Sequence, residues 1–284
     1  MQKTRSAQRR WPALTRTRAD GSVPAERAST PGRPAQSFSA VGLRHRLRLH
    51  TKRKRSGEES TAKTRYNTAP LSLMKPLSDC RLYGILDLGY VAPPNAVETA
   101  RQMVVGGVDI LQIRAKKLLA PDILDLAALV RPLTETAGVP LIINDHPWLV
   151  ARAGADGAHI GQDDGPLAAA RAKAGEGRVV GRSTHSVEQA LAARDEGADY
   201  LGFGPLFATP TKPDYPAIGL DDIARVHAEI TDRPIFCIGG VKLENLPRIL
   251  EAGARRVVIV SGLLLADDVA GYARRAAELL RAVA

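Results

Sequence analysis

The sequence predicts an α/β protein, a (β/α)8 TIM barrel over residues 77–284 that follows a disordered basic extension over residues 1–76. Three observations support this prediction. From residue 81 onward, short apolar runs alternate eight times with segments in which Ala and Leu recur at helical spacing. Glycine closes several of these segments, as at Gly154 and Gly197, where a C-cap is expected. The eight units occupy about 208 residues, near the lower size of such barrels.

The predicted elements follow one another in a regular order. The strands are expected at 81–86, 110–114, 141–144, 157–160, 179–183, 200–203, 235–238 and 256–260. The helices are expected at 95–106, 121–137, 147–153, 166–174, 187–196, 220–230, 244–252 and 268–282. Asp122 after Pro121 and Ser186 ahead of Glu188 are typical of helix N-termini. A doubly wound open sheet is the alternative, but no Gly-x-Gly-x-x-Gly motif follows the first strand.

The basic character of the chain lies in residues 1–76. They hold 18 Lys and Arg against four Asp and Glu, a net of +14, and since the whole chain carries +10 the rest carries −4. This extension is rich in Arg, Ser, Thr and Pro, and its apolar residues do not recur at a regular spacing, so we expect it to be disordered. Three interpretations stay open: a nucleic-acid-binding arm, an organelle transit peptide, or an upstream extension from a wrongly chosen start, with translation beginning at Met74.

The remaining composition points to a cytoplasmic protein. Cys80 and Cys237 are far apart and form neither a disulfide framework nor a metal-ligand cluster, so a reducing compartment is expected. No run of about 18 apolar residues occurs, so we expect no membrane contact. The sequence leaves the oligomeric state open, a homo-oligomer included.

Polar residues gather where the predicted strands end, and in such a barrel those ends form the active site. The second strand ends in Gln112-Ile113-Arg114-Ala115-Lys116. With a period of two, Gln112 and Arg114 point into the barrel and Ile113 faces the helices. A buried Arg needs an anionic partner, either an internal carboxylate or a bound anion. Because Lys116 follows closely, we favour a bound anion.

The third and fourth strands lead to carboxylates. Asn144-Asp145 ends the third strand, and Asp164 follows the fourth. Each carboxylate could cap a helix, but a pair on adjacent loops could share one Mg²⁺, which takes only one or two carboxylates. Beside Arg114 and Lys116, this pair indicates a metal–diphosphate site.

The fifth and sixth strands lead to further polar groups. Ser183 could form one hydrogen bond at the mouth, and His185 could orient a loop or move a proton, the first of which we favour. A Pro-rich loop with Thr209, Thr211 and Lys212 follows the sixth strand. Its stiffness, hydroxyls and ammonium suit a phosphate, although an ordinary surface loop is the alternative.

Glycine-containing loops follow the last two strands. Gly239-Gly240 ends the seventh strand, and Val260-Ser261 ends the eighth. Barrel loops at these positions often bind phosphate through backbone amides, which glycine leaves accessible. These loops and the cluster around Arg114 therefore predict two anion-binding zones at the same end of the barrel.

Taken together, residues 81–284 closely resemble thiamine-phosphate synthase. The matching motifs are Gln112-Ile113-Arg114-Ala115-Lys116, Ile143-Asn144-Asp145, His159-Ile160-Gly161-Gln162-Asp163-Asp164, Gly181-Arg182-Ser183-Thr184-His185, Gly202-Phe203-Gly204-Pro205, Thr209-Pro210-Thr211-Lys212, Ile238-Gly239-Gly240 and Val260-Ser261. Their joint occurrence in this order is far more specific than any one of them. The resemblance covers nearly the whole barrel and none of the basic extension.

The resemblance implies a transferase. That family joins 4-amino-2-methyl-5-(diphosphooxymethyl)pyrimidine to a thiazole phosphate, releasing diphosphate and giving thiamine phosphate by a Mg²⁺-assisted dissociative route through a pyrimidine cation. Whether the thiazole substrate is carboxylated stays open. Where the family commonly has Arg after Asn-Asp, this chain has His146, which puts support for the anion site in doubt.

The resemblance also implies roles for individual residues. The pyrimidine diphosphate would be held by Gln112, Ile113, Arg114, Ala115, Lys116, Asn144, Ser183 and Lys212. The thiazole phosphate would be held by Thr209, Pro210, Thr211, Gly240, Val260 and Ser261. Mg²⁺ would be held by Asp145 and Asp164, and the catalytic residues would be Arg114, Lys116, Ser183 and Lys212.

Two alternatives remain. A thiazole tautomerase shares the barrel and would use His185 to move protons, but Lys212 and the 162–164 motif favour the synthase. A nucleic-acid-binding protein acting through the basic extension is less favoured, because the barrel carries −4 and a full set of site residues.

Overall fold

Eight parallel strands form a closed barrel in sequence order. The computed structural model describes residues 74–209 and 215–283. Its strands are β1 (Leu82–Asp87), β2 (Ile110–Arg114), β3 (Leu141–Asn144), β4 (Gly157–Ile160), β5 (Val179–Thr184), β6 (Tyr200–Phe203), β7 (Ile235–Cys237) and β8 (Val257–Ile259). β8 pairs with β1, which closes the barrel. The predicted (β/α)8 fold is confirmed.

Helices follow the strands in the described part of the chain. They are α1 (Ala96–Val105), α2 (Ala120–Ala137), α3 (Val150–Ala153), α4 (Leu167–Ala174), α5 (Val187–Asp195), α6 (Ile223–Glu229), α7 (Leu246–Glu251), α8 (Ser261–Leu264) and α9 (Val269–Ala282). The short helix α8 was not predicted, because four residues are too few to show a helical period. A 3-10 turn over Pro147–Leu149 precedes α3 and shortens it relative to the prediction.

Capping residues account for several helix ends. The Ser186 hydroxyl accepts a hydrogen bond from the Gln189 backbone N–H and starts α5, as the sequence predicted. Gly138 and Gly154 end α2 and α3 in the left-handed conformation, with φ of 66° and 62°. Glycine adopts this conformation without the steric cost that a Cβ brings, so these helices stop where the glycines stand.

The core has two layers. Leu, Ile, Val and Ala side chains fill the space between strands and helices, and Ile113 lies in this layer. Inside the barrel, the rings of Tyr83, Tyr200 and Phe236 pack against one another at centroid distances of 5.5–5.9 Å. This aromatic floor fills the barrel interior, so the polar strand ends remain at its carboxyl-terminal mouth.

Nearly all of the predicted basic extension lies outside the described residues. Of residues 74–76, Lys75 donates its backbone N–H to the Gly138 carbonyl oxygen (2.9 Å), and its ammonium forms an ion pair with Asp109. Over residues 74–209 and 215–283, no helix has the length and apolar character needed to cross a membrane. Cys80 and Cys237 are buried free thiols.

Candidate active site

The carboxyl-terminal ends of the strands surround a pocket of about 420 Å³. Each of the eight strands, or the residue directly after it, contributes to the lining. Among the predicted site residues, the pocket is lined by Gln112, Arg114, Lys116, Asn144, Asp145, Asp164, Ser183, Thr209, Gly240, Val260 and Ser261. The fold therefore brings together, around one cavity, residues that lie as far apart in the sequence as Gln112 and Ser261.

The other predicted site residues are placed differently. Ile113 and Ala115 are buried between the barrel and its helices, so their side chains do not line the pocket. Pro210, Thr211 and Lys212 lie outside the described residues.

An ion pair holds Arg114 at the pocket wall. Its Nη1 lies 2.5 Å from Asp87 Oδ2, and the two side chains are 15% and 4% exposed. Asp87 Oδ1 accepts the Gly89 backbone N–H (2.9 Å), so both carboxylate oxygens are engaged. The internal salt bridge considered for Arg114 is thus present, while the guanidinium still lines the pocket. Asp87 was not among the predicted site residues, although it is a polar residue at the end of a strand, which is the signal that identified the site residues on the other strands.

A second cluster joins Lys116 to two carboxylates. Lys116 Nζ lies 3.3 Å from Asp145 Oδ2, and Asp145 adopts φ = 61°, which is unusual for a residue other than glycine. Burial raises the pKa of Asp145, and nearby Asp164 raises it further, against the opposing charge of Lys116. Asp164 Oδ2 accepts the Gly161 backbone N–H at 2.6 Å. Two carboxylates held this close favour a cation between them.

Asp145 and Asp164 are the two carboxylates here that could hold a hard cation. Within the described residues, no group of three or more His, Cys, Asp or Glu side chains is arranged to hold a metal. Mg²⁺ commonly binds through one or two carboxylates and completes its octahedron with waters and substrate phosphates. Asp145 and Asp164 fit this pattern, because they are adjacent and line an open pocket.

A hydrogen-bonded chain of five side chains crosses the barrel interior, and we call it the buried chain. Gln112 Nε2 donates to the Tyr83 hydroxyl (2.6 Å), which lies 3.0 Å from the Tyr200 hydroxyl. The Tyr200 hydroxyl lies 3.2 Å from His159 Nδ1, and His159 Nε2 lies 2.9 Å from Ser183 Oγ. Both ends of the chain, Gln112 and Ser183, line the pocket. The strand pattern identified these ends but not the tyrosines between them, which look like ordinary core residues.

At the rim, His185 supports the loop after β6. Its Nδ1 donates to the Gly204 carbonyl oxygen, and its ring stacks on Tyr215 at a centroid distance of 4.3 Å. The Tyr215 hydroxyl donates to Asp163 Oδ2 at 2.9 Å. Tyr215 therefore connects three loops at the pocket mouth. It was not predicted, because no periodic pattern distinguishes a single tyrosine in a Pro-rich loop.

The loop after β7 requires glycine at two positions. Gly239 and Gly240 have φ of 97° and 68°. A Cβ on Gly239 would lie 2.4 Å from Pro205 Cα, and one on Gly240 would lie 2.7 Å from Phe207 Cβ. Asn245 Nδ2 donates to the Gly240 carbonyl oxygen at 2.9 Å and fixes the loop. The backbone after β7 thus lies directly against the loop that carries Thr209.

Two residues near the site support its loops without lining the pocket. Arg182 is buried and donates to the carbonyl oxygens of Gly165 (2.7 Å) and Gln162 (3.2 Å), which braces the loop after β4. His146, the departure from the family pattern, packs against Trp148 at a centroid distance of 4.9 Å. The pocket lining does not include it.

A closed (β/α)8 barrel with cations, paired carboxylates and glycine loops at one mouth is typical of enzymes that bind phosphorylated substrates. Residues 82–263 match the family model described as thiamine monophosphate synthase. The chain is 44% identical over 189 residues to a thiamine-phosphate synthase of Thermus thermophilus, covering 66% of this chain and 90% of that protein. It is 40% identical over 198 residues to that of Chloroflexus aurantiacus, covering 69% and 91%.

A solved structure agrees with these sequence relatives. Thiamine phosphate pyrophosphorylase from Pyrococcus furiosus superposes with a TM-score of 0.66 at 27% identity, covering 72% of this chain and 96% of that one. The chain therefore belongs to the thiamine monophosphate synthase family, as its motifs predicted. It is accordingly a transferase of thiamine biosynthesis, and the tautomerase alternative is not favoured.

Proposed function

We propose that the chain joins 4-amino-2-methyl-5-(diphosphooxymethyl)pyrimidine to a thiazole phosphate, forming thiamine phosphate and releasing diphosphate. The observation that carries this proposal is the arrangement of two anion zones around one pocket. Arg114 and Lys116 lie in the first zone, and the loops at Gly240 and Ser261 form the second. A reaction between a diphosphate and a phosphate ester needs both zones, with room for two heteroaromatic rings between them.

The pyrimidine ring binds between the ends of the buried chain. Gln112 Oε1 is buried and has no hydrogen-bond partner among the described residues, so it suits the amino hydrogens of the ring. Ser183 and Asn144 line the same pocket and supply further hydrogen bonds. Ile113 and Ala115 take part only through their backbone, which lies next to this site because their neighbours Gln112 and Arg114 line the pocket.

The diphosphate lies against Arg114 and Lys116, with Mg²⁺ held by Asp145 and Asp164. When bound, Mg²⁺ supplies positive charge that offsets the charge developing on the leaving diphosphate. Asp87 keeps Arg114 oriented in its half-buried position, so the guanidinium does not have to reorganise as that charge develops. Lys212 adds a further cation in the role that the family resemblance implies.

The thiazole phosphate binds where the loops after β6, β7 and β8 meet. Thr209 offers a hydroxyl, and Gly240, Val260 and Ser261 offer backbone groups at the pocket wall. Pro210 and Thr211 complete this loop by resemblance. The contact between Gly240 and the loop after β6 keeps these groups together.

The chemical step follows from this placement. The carbon–oxygen bond between the pyrimidine methylene and the diphosphate breaks, and its electron pair leaves with the diphosphate. The aminopyrimidine stabilises the resulting cation, and the thiazole nitrogen, held close by, donates its lone pair to form the new carbon–nitrogen bond. No protein nucleophile takes part.

The proposal also includes a cytoplasmic location, as expected from the two free cysteines.

The test is diphosphate release by the full chain, with each substrate and Mg²⁺ omitted in turn. Release that requires both substrates and Mg²⁺, with thiamine phosphate as product, supports the proposal. Failure to release diphosphate from a folded chain overturns it and makes His185 the residue to test for tautomerase activity. The same assay on a chain beginning at Met74 measures whether the basic extension contributes.

A matched pair of variants tests the site. Arg114→Ala removes the arginine of the Asp87 pair at the mouth, and Arg131→Ala removes that of the Asp156 pair (2.6 Å), which lies before β4 at the opposite end of the barrel. Arg114→Ala is expected to lower the rate by about 100-fold or more, since oxyanion-stabilising groups contribute that much. Equal losses in both variants would mean that Arg114 acts through stability alone.

A further inference from the structure

Arg182 is buried on the outer face of β5 and is bonded to the loop that carries Asp164. We propose that it is a positioning residue for the metal site, which holds the loop over residues 161–165 where Asp164 and Asp145 can share one cation. The inference rests on the proposed function and deepens it, because it assigns part of the metal affinity to a side chain that does not line the pocket.

The strand register places Arg182 next to this loop. In the parallel ladder Arg182 pairs with Ile160, the last residue of β4. Its neighbours face the barrel interior, since a Cβ on Gly181 would meet the Tyr200 ring and Ser183 lines the pocket. Because side chains alternate along a strand, Arg182 points toward the helices. Its guanidinium therefore reaches the loop from outside the barrel.

Two hydrogen bonds join the guanidinium to the loop backbone. Nη1 donates to the Gly165 carbonyl oxygen at 2.7 Å, and Nη2 donates to that of Gln162 at 3.2 Å. The planar guanidinium presents its donors in a fixed fork, so it can hold two acceptors at once. Asp163 and Asp164 lie between these two residues. Arg182 thus bridges the segment that contains the proposed metal ligand.

The two carboxylates of the metal site are held in different ways. The backbone N–H of Asp145 donates to the His159 carbonyl oxygen at 2.9 Å, which fixes Asp145 to β4. Asp164 Oδ2 accepts the Gly161 backbone N–H at 2.6 Å from within its own loop, so the carboxylate moves with the loop. The backbone bond from Asp164 back to Gly161 is long, at 3.4 Å. The spacing of the two carboxylates therefore depends on how the loop is held.

Two side-chain bonds hold the loop from the pocket side. Gln162 Nε2 donates to the Ser183 carbonyl oxygen, and Asp163 Oδ2 accepts from the Tyr215 hydroxyl. These bonds remain when Arg182 is replaced, so the loop should stay attached to the barrel. What is lost is the hold on its backbone from the outer side. We therefore expect a weaker cation site in a chain that still folds.

The test compares cation binding by wild type and Arg182→Met, which keeps an unbranched side chain but has no donor. The probe is Mn²⁺, which suits the same oxygen ligands as Mg²⁺, titrated with inorganic diphosphate into the full chain. Its binding is followed by the water-proton relaxation rate, which rises when Mn²⁺ is held by a large molecule. Loss of a group that orients a metal ligand lowers metal affinity by about 10–100-fold. We expect the Kd of Arg182→Met to rise by about tenfold or more, and an unchanged Kd overturns the proposal.

Arg171 provides a matched control. It also donates to two backbone carbonyl oxygens, those of Gly197 (2.6 Å) and Arg178 (3.4 Å), and it pairs with Asp199. These partners precede β5 and β6, at the end of the barrel opposite the pocket. Arg171→Met should lose stability in chemical denaturation but bind Mn²⁺ as wild type does. Equal rises in Kd for Arg171→Met and Arg182→Met would show a general effect of stability, and the proposal would fail.

A double-substitution cycle tests whether Arg182 acts through Asp164. Asp164→Asn removes the ligand and should itself raise the Kd for Mn²⁺. In the Asp164→Asn background, Arg182→Met should raise the Kd further by less than about twofold, because the ligand that it positions is absent. Fully additive effects would mean that Arg182 acts by another route, which contradicts the proposal.

Arg182→Lys tests the need for a forked donor. Its single ammonium replaces a planar group that spans two carbonyl oxygens, so its Kd should lie between those of wild type and Arg182→Met. If neither variant folds, Arg182 serves the fold rather than the metal site, and the proposal is wrong.

Failure of this inference and failure of the proposed function are distinguishable. If wild type makes thiamine phosphate with Mg²⁺ while Arg182→Met binds Mn²⁺ normally, the inference about Arg182 fails and the proposed function stands. If wild type makes no thiamine phosphate from both substrates, the proposed function fails and the inference falls with it. If Asp164→Asn alone leaves the Kd for Mn²⁺ unchanged, the assignment of the metal ligand is wrong, and so is the role given to Arg182.

Discussion

Asp87→Asn tests whether the carboxylate behind Arg114 is part of the catalytic apparatus. The substitution conserves volume and removes the charge that pairs with Arg114 at 2.5 Å. Breaking a buried ion pair from one side costs about 3–5 kcal/mol of folding free energy. Because Arg114 is 15% exposed and lines the pocket, it can regain part of its hydration, so we expect a loss near the lower end, about 3 kcal/mol.

The expected catalytic effect is larger than the loss of stability explains. Without Asp87, Arg114 has no fixed position, and misplacement of about 1 Å in a catalytic group costs on the order of 100-fold. We therefore expect kcat/KM for the pyrimidine diphosphate to fall by about 100-fold in Asp87→Asn. Diphosphate with Mg²⁺ should raise the Tm of this variant more than that of wild type, because the anion replaces the missing charge.

Asp156 provides the matched control. Like Asp87, it pairs with an arginine (Arg131, 2.6 Å) and accepts one backbone N–H (Leu141, 2.8 Å). Asp156→Asn should lose similar stability by chemical denaturation but keep its kcat/KM and gain no extra stabilisation from diphosphate. The reasoning is refuted if Asp87→Asn retains wild-type kcat/KM, or if both variants lose activity equally at a temperature where both are folded.

Three further predictions concern the other parts of the site. Gly240→Ala should raise KM for the thiazole phosphate by about tenfold through strain and a steric clash, whereas Gly154→Ala, with a similar φ and open space around it, should leave KM unchanged. Tyr215→Phe keeps the ring stacking but loses the hydrogen bond to Asp163, so steady-state kinetics should show a smaller rise in KM than for Tyr215→Ala. Because folding raises the pKa of Asp145, its contribution to the stability of the metal-free chain should be lost as pH rises from about 3.8 through the folded-state pKa, and the difference between wild type and Asp145→Asn in urea denaturation across this range should show that loss.

The barrel could be predicted because its strands are buried on both sides and separated by regular helices. The bounds of β2, β3, β4 and β6 agree with the prediction. β7 and β8 are shorter than predicted, since the chain leaves the extended conformation to form the loops at the pocket mouth, as at Val260 with φ −114° and ψ −88°. Apolar residues continue through those turns, so composition alone does not mark where the strands end.

The sequence alone marks a site residue most clearly where a polar residue interrupts an apolar run. Gln112, Asn144 and Ser183 stand out in this way, and each lines the pocket. A residue that pairs with a site residue from a neighbouring strand cannot be identified as its partner in this way. Asp87 reaches Arg114 only because β1 and β2 pair in the register that places these two residues side by side, and a single sequence does not give that register.

The aromatic floor illustrates why packing and hydrogen bonding cannot be separated by sequence pattern. Tyr200 pairs in register with Gly181, and a Cβ on Gly181 would lie 2.1 Å from the Tyr200 ring. The missing side chain makes room for a ring that fills the barrel, and the same ring brings its hydroxyl within 3.2 Å of His159. An apolar ring of the same size would pack there equally well, so core packing alone does not require the hydroxyl. The hydroxyl is instead one link of the buried chain, which joins Gln112 to Ser183 across the barrel.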